Sequence, residues 1–175
     1  MSGTGGRGWL AAADGVLRAV FPALSAALLL VLATVPVGIP GLAAAAALPP
    51  VFFWSVFRPA AMPPSAVFGL GVLQDLLGFA PLGVGPLTLL AVHGLAFRAR
   101  EVLARQSFLR VWLAFCGFAA GAGAAGWALS ALLAWSVPPP APGLFQFGLA
   151  AGLYPALAWA FSRAHRAMRR AEGVA

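Results

Sequence analysis

"GVLQDLLGFAPLG", residues 71–83, places a carboxylate, Asp75, inside an apolar run that ends in a Pro/Gly break. The nearest arginines in sequence are Arg58 and Arg98, so no neighbour along the chain supplies a countercharge. Two readings are open. Either the stretch is an exposed loop, or the acid sits in a helical span, where an ionisable group marks a functional-site hypothesis by default.

The flanking sequence favours the second reading. Hydrophobic residues make up 62% of the 175-residue chain and charged residues only 9%, against about 25% charged in an ordinary soluble domain. Long apolar runs cover Ala19–Val37, Ile39–Phe57, Pro64–Gly78, Leu82–Phe97, Phe108–Val137 and Leu144–Phe161. A membrane-crossing helix needs roughly 17 to 25 such residues. The third run is short, about 22 Å if helical, and a re-entrant or broken helix with the fourth is the alternative. The first run is followed by too many others to read as a removable signal peptide.

The breaks are of two kinds. "PVGIPG" (36–41), "GFAPLG" (78–83) and "VPPPAPG" (137–143) contain no charge, and proline prevents a helix from continuing smoothly through them. The other breaks carry arginine: Arg7 and Arg18 before the first run, Arg58 after the second, Arg98, Arg100, Arg105 and Arg110 after the fourth, and Arg163, Arg166, Arg169 and Arg170 after the sixth. With six spans all 11 arginines fall on one side, as the positive-inside rule requires, whereas five spans would split them. The expected architecture is an all-α integral membrane protein with both termini cytoplasmic. It has an N-terminal segment (1–18), one six-helix domain (19–162) and a basic tail (163–175).

The formal charge of +7 does not point to nucleic acid, because the arginines sit in short clusters between apolar runs rather than over a polar surface. Cys116 stands alone and excludes a disulfide within the chain or a cysteine metal site. The acids Asp14, Asp75, Glu101 and Glu172 include no pair that the topology unites, no Ser/His/Asp or Cys/His set shares one depth, and no lysine exists to end a phosphate loop. No enzymatic activity, metal or cofactor is expected.

In this topology Asp75 lies one turn from the outer end of the third span, the wrong end of its helix dipole for an anion. It is then solvated by headgroups, bonded to amides of the following turn, or matched by Thr88 or by a group on another protein. His93 is expected at the opposite face, near the cytoplasmic interface, and so is no partner for Asp75. "GFAAGAGAAG" (117–126) contains Gly117–Gly121 at GxxxG spacing and continues through Gly123 and Gly126. Small residues at this spacing let helices approach closely, and packing within the bundle, a partner's membrane helix and a second copy all fit. Glu101 and Arg105 are spaced for an i,i+4 pair on a short helical extension. Arg163, Arg166 and Arg170 share one helical face. The arginine clusters fit anionic headgroups or a cytoplasmic partner.

Gly71, Leu73, Asp75, Gly78, Pro81, Leu82, Gly83 and Leu87 together resemble the segment that marks the MreD family of bacterial rod shape-determining membrane proteins. "FFWSVFRP" (52–59), with its aromatic end and Arg58-Pro59, is similar to that family's connection between the second and third spans. The resemblance implies a fold similar to the substrate-binding subunits of energy-coupling-factor transporters. It also implies a non-enzymatic scaffold in the bacterial inner membrane, serving lateral peptidoglycan synthesis and cell shape. The implied partners are MreC and, beyond it, RodZ, MreB and the lateral-wall glycosyltransferase–transpeptidase pair. Gln74, Asp75, Gly78, Pro81, Leu82 and Gly83 are the expected partner-binding residues. The fold kinship supplies a rival, a small-molecule transporter subunit, for which Gln74, Asp75, Thr88 and Gln146 are the polar groups at the outer end.

Overall fold

The computed structural model describes residues 20–34, 42–78 and 81–172. Among these the chain is all helix and turn. Helix α1 covers Val20–Leu32. It is followed by α2 (Leu42–Phe57), a single 3-10 turn (Pro59–Ala61), α3 (Pro64–Gly78), α4 (Val84–Leu103), α5 (Phe108–Ala134) and α6 (Ala141–Glu172). The six expected runs thus correspond to six helices. Helices α5 and α6 are long and apolar enough to cross a membrane. The expected segment 1–18, including Arg7 and Arg18, lies outside the described residues.

Helix α2 is the hub. Every residue from Ala45 to Val56 is buried, as expected of a helix that is apolar all round. Helices α3, α4, α5 and α6 surround it, each packed on the next. The two halves of α2 pack differently. Its first half is a run of alanines, which lets neighbours come close. Its second half is aromatic: Phe52 meets Phe115, Phe118 and Tyr154, and Trp54 meets Phe161 and Phe21. Tyr154 also stacks on Phe115 with ring centroids 4.1 Å apart.

The described arginines gather at one end of this bundle. Arg58, just past α2, donates to Met168 Sδ near the end of α6 (3.4 Å). Arg98 and Arg100 lie in the last turns of α4, and a four-residue turn leads to Arg110 in the first turn of α5. Two helices outrun their apolar stretches at this end. Helix α4 continues to Leu103 rather than stopping at Phe97. Helix α6 runs unbroken from Ala141 to Glu172, so the basic tail through Arg170 is part of it. No proline or glycine lies in either extension, 98–103 or 162–172.

At the other end the α5–α6 connection folds back. Gly126 faces Val84 and Thr88 at the start of α4. The remaining residues of α5, through Ala134, therefore rise about 12 Å beyond that point. Trp135 ends the helix in a left-handed conformation (φ 50°) and is 91% exposed. The returning prolines are pinned by Trp127 Nε1, which donates to the Pro138 carbonyl (2.9 Å).

Candidate functional site

The end of the bundle opposite the arginines is organised by Asp75. Its side chain leaves the last turn of α3 and is only 2% exposed. Oδ2 accepts from the amide of Gly83 and Oδ1 from the amide of Gly85, both at 2.8 Å. Gly83 is the N-cap of α4, so a carboxylate from one helix caps the next. The C-terminus of α3 disfavours an anion, but the N-terminus of α4 attracts it. This resolves the mismatch noted in the sequence.

A helix N-terminus leaves four amides without intrahelical partners, and here each position is accounted for. Val84 N bonds to the Pro81 carbonyl (3.3 Å), Gly85 N to Asp75, and Pro86 has no N–H. Leu87 N makes the first helical bond, to Gly83 O (3.2 Å). The clamp also dictates the glycines. Gly83 has φ +105°, which side-chain-bearing residues rarely adopt. A Cβ at Gly85 would overlap Asp75 Oδ1 and the Gly71 carbonyl, and one at Gly71 would overlap the backbone of Pro86. Helices α3 and α4 therefore touch backbone to backbone, and the Gly85-Pro86 pair is part of that contact.

Thr88 is not the partner of Asp75. Its hydroxyl reaches back to the carbonyls of Val84 and Gly85 (2.8 and 3.0 Å). It does line the same space: a cleft of about 330 Å³ bounded by all five helices from α2 to α6 and by the returning prolines. Gln74, Asp75, Thr88 and Gln146 all face this cleft, together with Trp127 and Ser130, which the sequence did not single out. Leu48, Leu89, Phe147 and the small residues Ala119, Ala122, Gly123 and Gly126 form the rest of its wall. Gln74 Oε1 is buried without a hydrogen-bond partner. Of the other expected partner-binding residues, Gly78 is exposed on the cleft rim, Gly83 is half-buried, and Pro81 and Leu82 are exposed at the tip of the turn.

The small-residue stripe of α5 divides. Gly126 packs toward α4 and Gly123 faces the cleft, but Gly117 and Gly121 point outward, where an added Cβ would meet nothing within 4 Å. The reading of the GxxxG pair as packing within the bundle is therefore corrected. It lies on the outer surface because α5 turns its Val111–Phe115–Ala119 face, and not its glycines, toward the core.

His93 is also corrected. It is 7% exposed, inside the bundle, and its Nδ1 lies 2.8 Å from Ser55 Oγ. The expectation of an interfacial histidine assumed that the helix stops at Phe97. Ser55 Oγ also lies 2.6 Å from the Val51 carbonyl, so the hydroxyl stands between that carbonyl and the imidazole. Nothing in the spacing of Ser55 and His93 signalled this contact, which depends on the α2–α4 crossing.

At the arginine end, Glu101 pairs with Arg100 (3.7 Å). The expected Glu101–Arg105 pair is replaced because α4 ends at Leu103, before Arg105. The Arg100 guanidinium lies 4.0 Å over the Phe97 ring and that of Arg163 lies 4.4 Å over Trp159. Arg110 donates to Gln106 Oε1 (2.7 Å). Arg98, Arg105, Arg166, Arg169 and Arg170 are exposed.

No protein-family model, curated protein or solved structure matches the chain.

Proposed function

We propose that this chain is a multi-pass inner-membrane scaffold of the MreD type. In this reading it binds MreC and serves lateral peptidoglycan synthesis, with its arginine end in the cytoplasm. One observation carries the reading. Four of the eight residues by which the sequence resembles that family, Gly71, Asp75, Pro81 and Gly83, build a single clamped turn together with Gly85. A rigid turn with an exposed apolar tip is suited to receive a partner's membrane or juxtamembrane segment, and Leu82 at that tip is 69% exposed. The collection of arginines at one end supports the orientation.

Because both carboxylate oxygens of Asp75 hold backbone amides of the turn, the partner surface is assigned to Pro81 and Leu82, with Asp75 as the group that positions them. Deleting the gene should widen or round the cells. Leu82→Arg should reduce co-purification of MreC while leaving the unfolding midpoint unchanged. Normal cell width in the deletion strain would refute the reading.

A second reading, a substrate-binding subunit of a small-molecule transporter, is favoured by the convergence of Gln74, Asp75, Thr88 and Gln146 on one cleft. An uptake defect with unchanged cell width would select it.

A further inference from the structure

The cleft has a definite chemical bias. Its lining contains one ionisable side chain, Asp75, and no arginine or histidine. The arginines of α4 begin at Arg98, ten residues beyond Thr88 and about 15 Å along the helix. An anionic ligand would therefore meet a carboxylate and no countercharge. Cations do not have that difficulty, and a buried carboxylate is usually paired with one. Among the described residues none of the arginines or histidines forms an ion pair with Asp75.

The hydrogen-bonding groups point the same way. A carboxylate has about four lone-pair sites, and the amides of Gly83 and Gly85 occupy two of them. Gln74 Oε1 is buried and accepts nothing. The Thr88 hydroxyl donates to backbone carbonyls, which leaves its oxygen as an acceptor. Gln74 Oε1 and the two open lone-pair sites of Asp75 thus lack donors within the chain, beside a cleft whose neutral donors are the Gln74 and Gln146 amides and the Ser130 hydroxyl. A primary ammonium has three N–H donors and no acceptor. The remaining wall is mostly apolar, with Leu48, Leu89, Phe147 and Trp127, and adds the neutral polar side chains of Ser130 and Gln146. The volume of about 330 Å³ is at the small end of the roughly 300–1,000 Å³ typical of ligand pockets.

We infer that this cleft binds a primary ammonium group carried on a small apolar body. The ammonium sits against Asp75 and Gln74, and the apolar part lies along α5 and α6. The inference rests on the cleft alone and stands whichever of the two functional readings holds. The ammonium could belong to a free amine or to a phosphatidylethanolamine headgroup.

The test uses the full-length protein purified in detergent. Phenylpropylamine, phenylpropanol and phenylpropionate share one apolar body and differ in charge. The amine should raise the thermal unfolding midpoint saturably by several degrees, the alcohol less, and the acid not at all. Gly123→Leu fills the cleft from a position where an added Cβ meets no neighbour. It should keep the unliganded midpoint and abolish the response to amine, and Gln74→Leu should weaken that response. No rise with the amine, an equal rise with the acid, or an undiminished response in Gly123→Leu overturns the proposal. Repeating the titration in phosphatidylethanolamine and phosphatidylglycerol nanodiscs identifies the source. A response lost only in the former assigns the site to the lipid headgroup, and a response kept in both assigns it to a free amine. These outcomes are independent of the cell-width experiment.

Discussion

Asp75 Oδ1 lies 2.8 Å from the amide nitrogen of Gly85, ten residues later in the chain, and this bond ties the last turn of α3 to the first turn of α4. The second carboxylate oxygen holds Gly83 in the same way. Removing the side chain leaves both amides without their acceptor, and that of Gly85 is buried. Asp75→Ala should therefore lower stability by about 1–3 kcal/mol, the usual cost of an unpaired buried donor. Asp75→Asn, which keeps one accepting oxygen, should fall between. Thermal unfolding in detergent orders the three proteins, and hydrogen exchange at Gly85 should quicken in the alanine variant. Coincident melting of Asp75→Ala and the parent would mean that the clamp does not hold the hairpin.

The glycines of the hairpin separate into those that are needed and those that are not. Gly71→Ala and Gly85→Ala each drive a methyl group into backbone or into Asp75, and each should cost about 1–3 kcal/mol as overpacking. Gly83→Ala meets open space, so only its φ of +105° resists. It should cost about 1–2 kcal/mol. Gly69, on α3 with no neighbour to meet, is the control. Gly69→Ala should gain about 0.5–1 kcal/mol from backbone entropy alone. Equal effects at Gly69 and Gly71 would refute the close helix approach.

Much of this arrangement can be read from the sequence. The third helix begins at Pro64 and ends at Gly78 as expected, because proline and the Pro/Gly break mark it at both ends. The convergence of Gln74, Asp75, Thr88 and Gln146 at one end follows from the alternation of spans, which fixes depth along each helix. Rotation about each helix axis is harder to read. In a chain that is 62% hydrophobic, apolar periodicity hardly distinguishes the inward face from the outward one, so Gly117 and Gly121 could not be placed in advance. Depth also fails where a helix outruns its apolar stretch. The continuation of α4 to Leu103 moved His93 from an expected interface to the interior. The role of Asp75 as the cap of α4 combined a visible acid, a visible Pro/Gly turn and a distance that only the fold supplies.

Ser55 and His93 form a buried polar pair whose removal should be strongly non-additive. Ser55→Ala leaves His93 Nδ1 facing a methyl group, at a cost of about 1–3 kcal/mol. His93→Leu with Ser55→Ala removes both polar groups and should recover part of that loss. A double-mutant cycle on unfolding midpoints should give a coupling of about 0.5–3 kcal/mol, the range for residues in direct contact. Additive effects would mean that the 2.8 Å contact contributes nothing to stability.

The stripe on α5 allows packing within the bundle to be separated from contact with another helix. At Gly126 an added Cβ already stands 3.6 Å from Thr88 Cγ2 and 3.7 Å from Val84 Cγ1, so Gly126→Leu should overpack the α4–α5 contact and cost about 1–3 kcal/mol. Gly121→Leu points away from the bundle and should not destabilise it, gaining up to about 0.5–1 kcal/mol from backbone entropy as at Gly69. Small residues promote helix association because they let backbones approach, so a bulky side chain at Gly121 blocks a docking helix without disturbing the fold beneath it. The measurements are unfolding midpoints together with crosslinking or co-purification of membrane-helix partners, including a second copy of the chain. An undiminished midpoint with lost association would identify the Gly117–Gly121 face as an external contact. Destabilisation comparable to Gly126→Leu would instead return these glycines to the interior of the bundle.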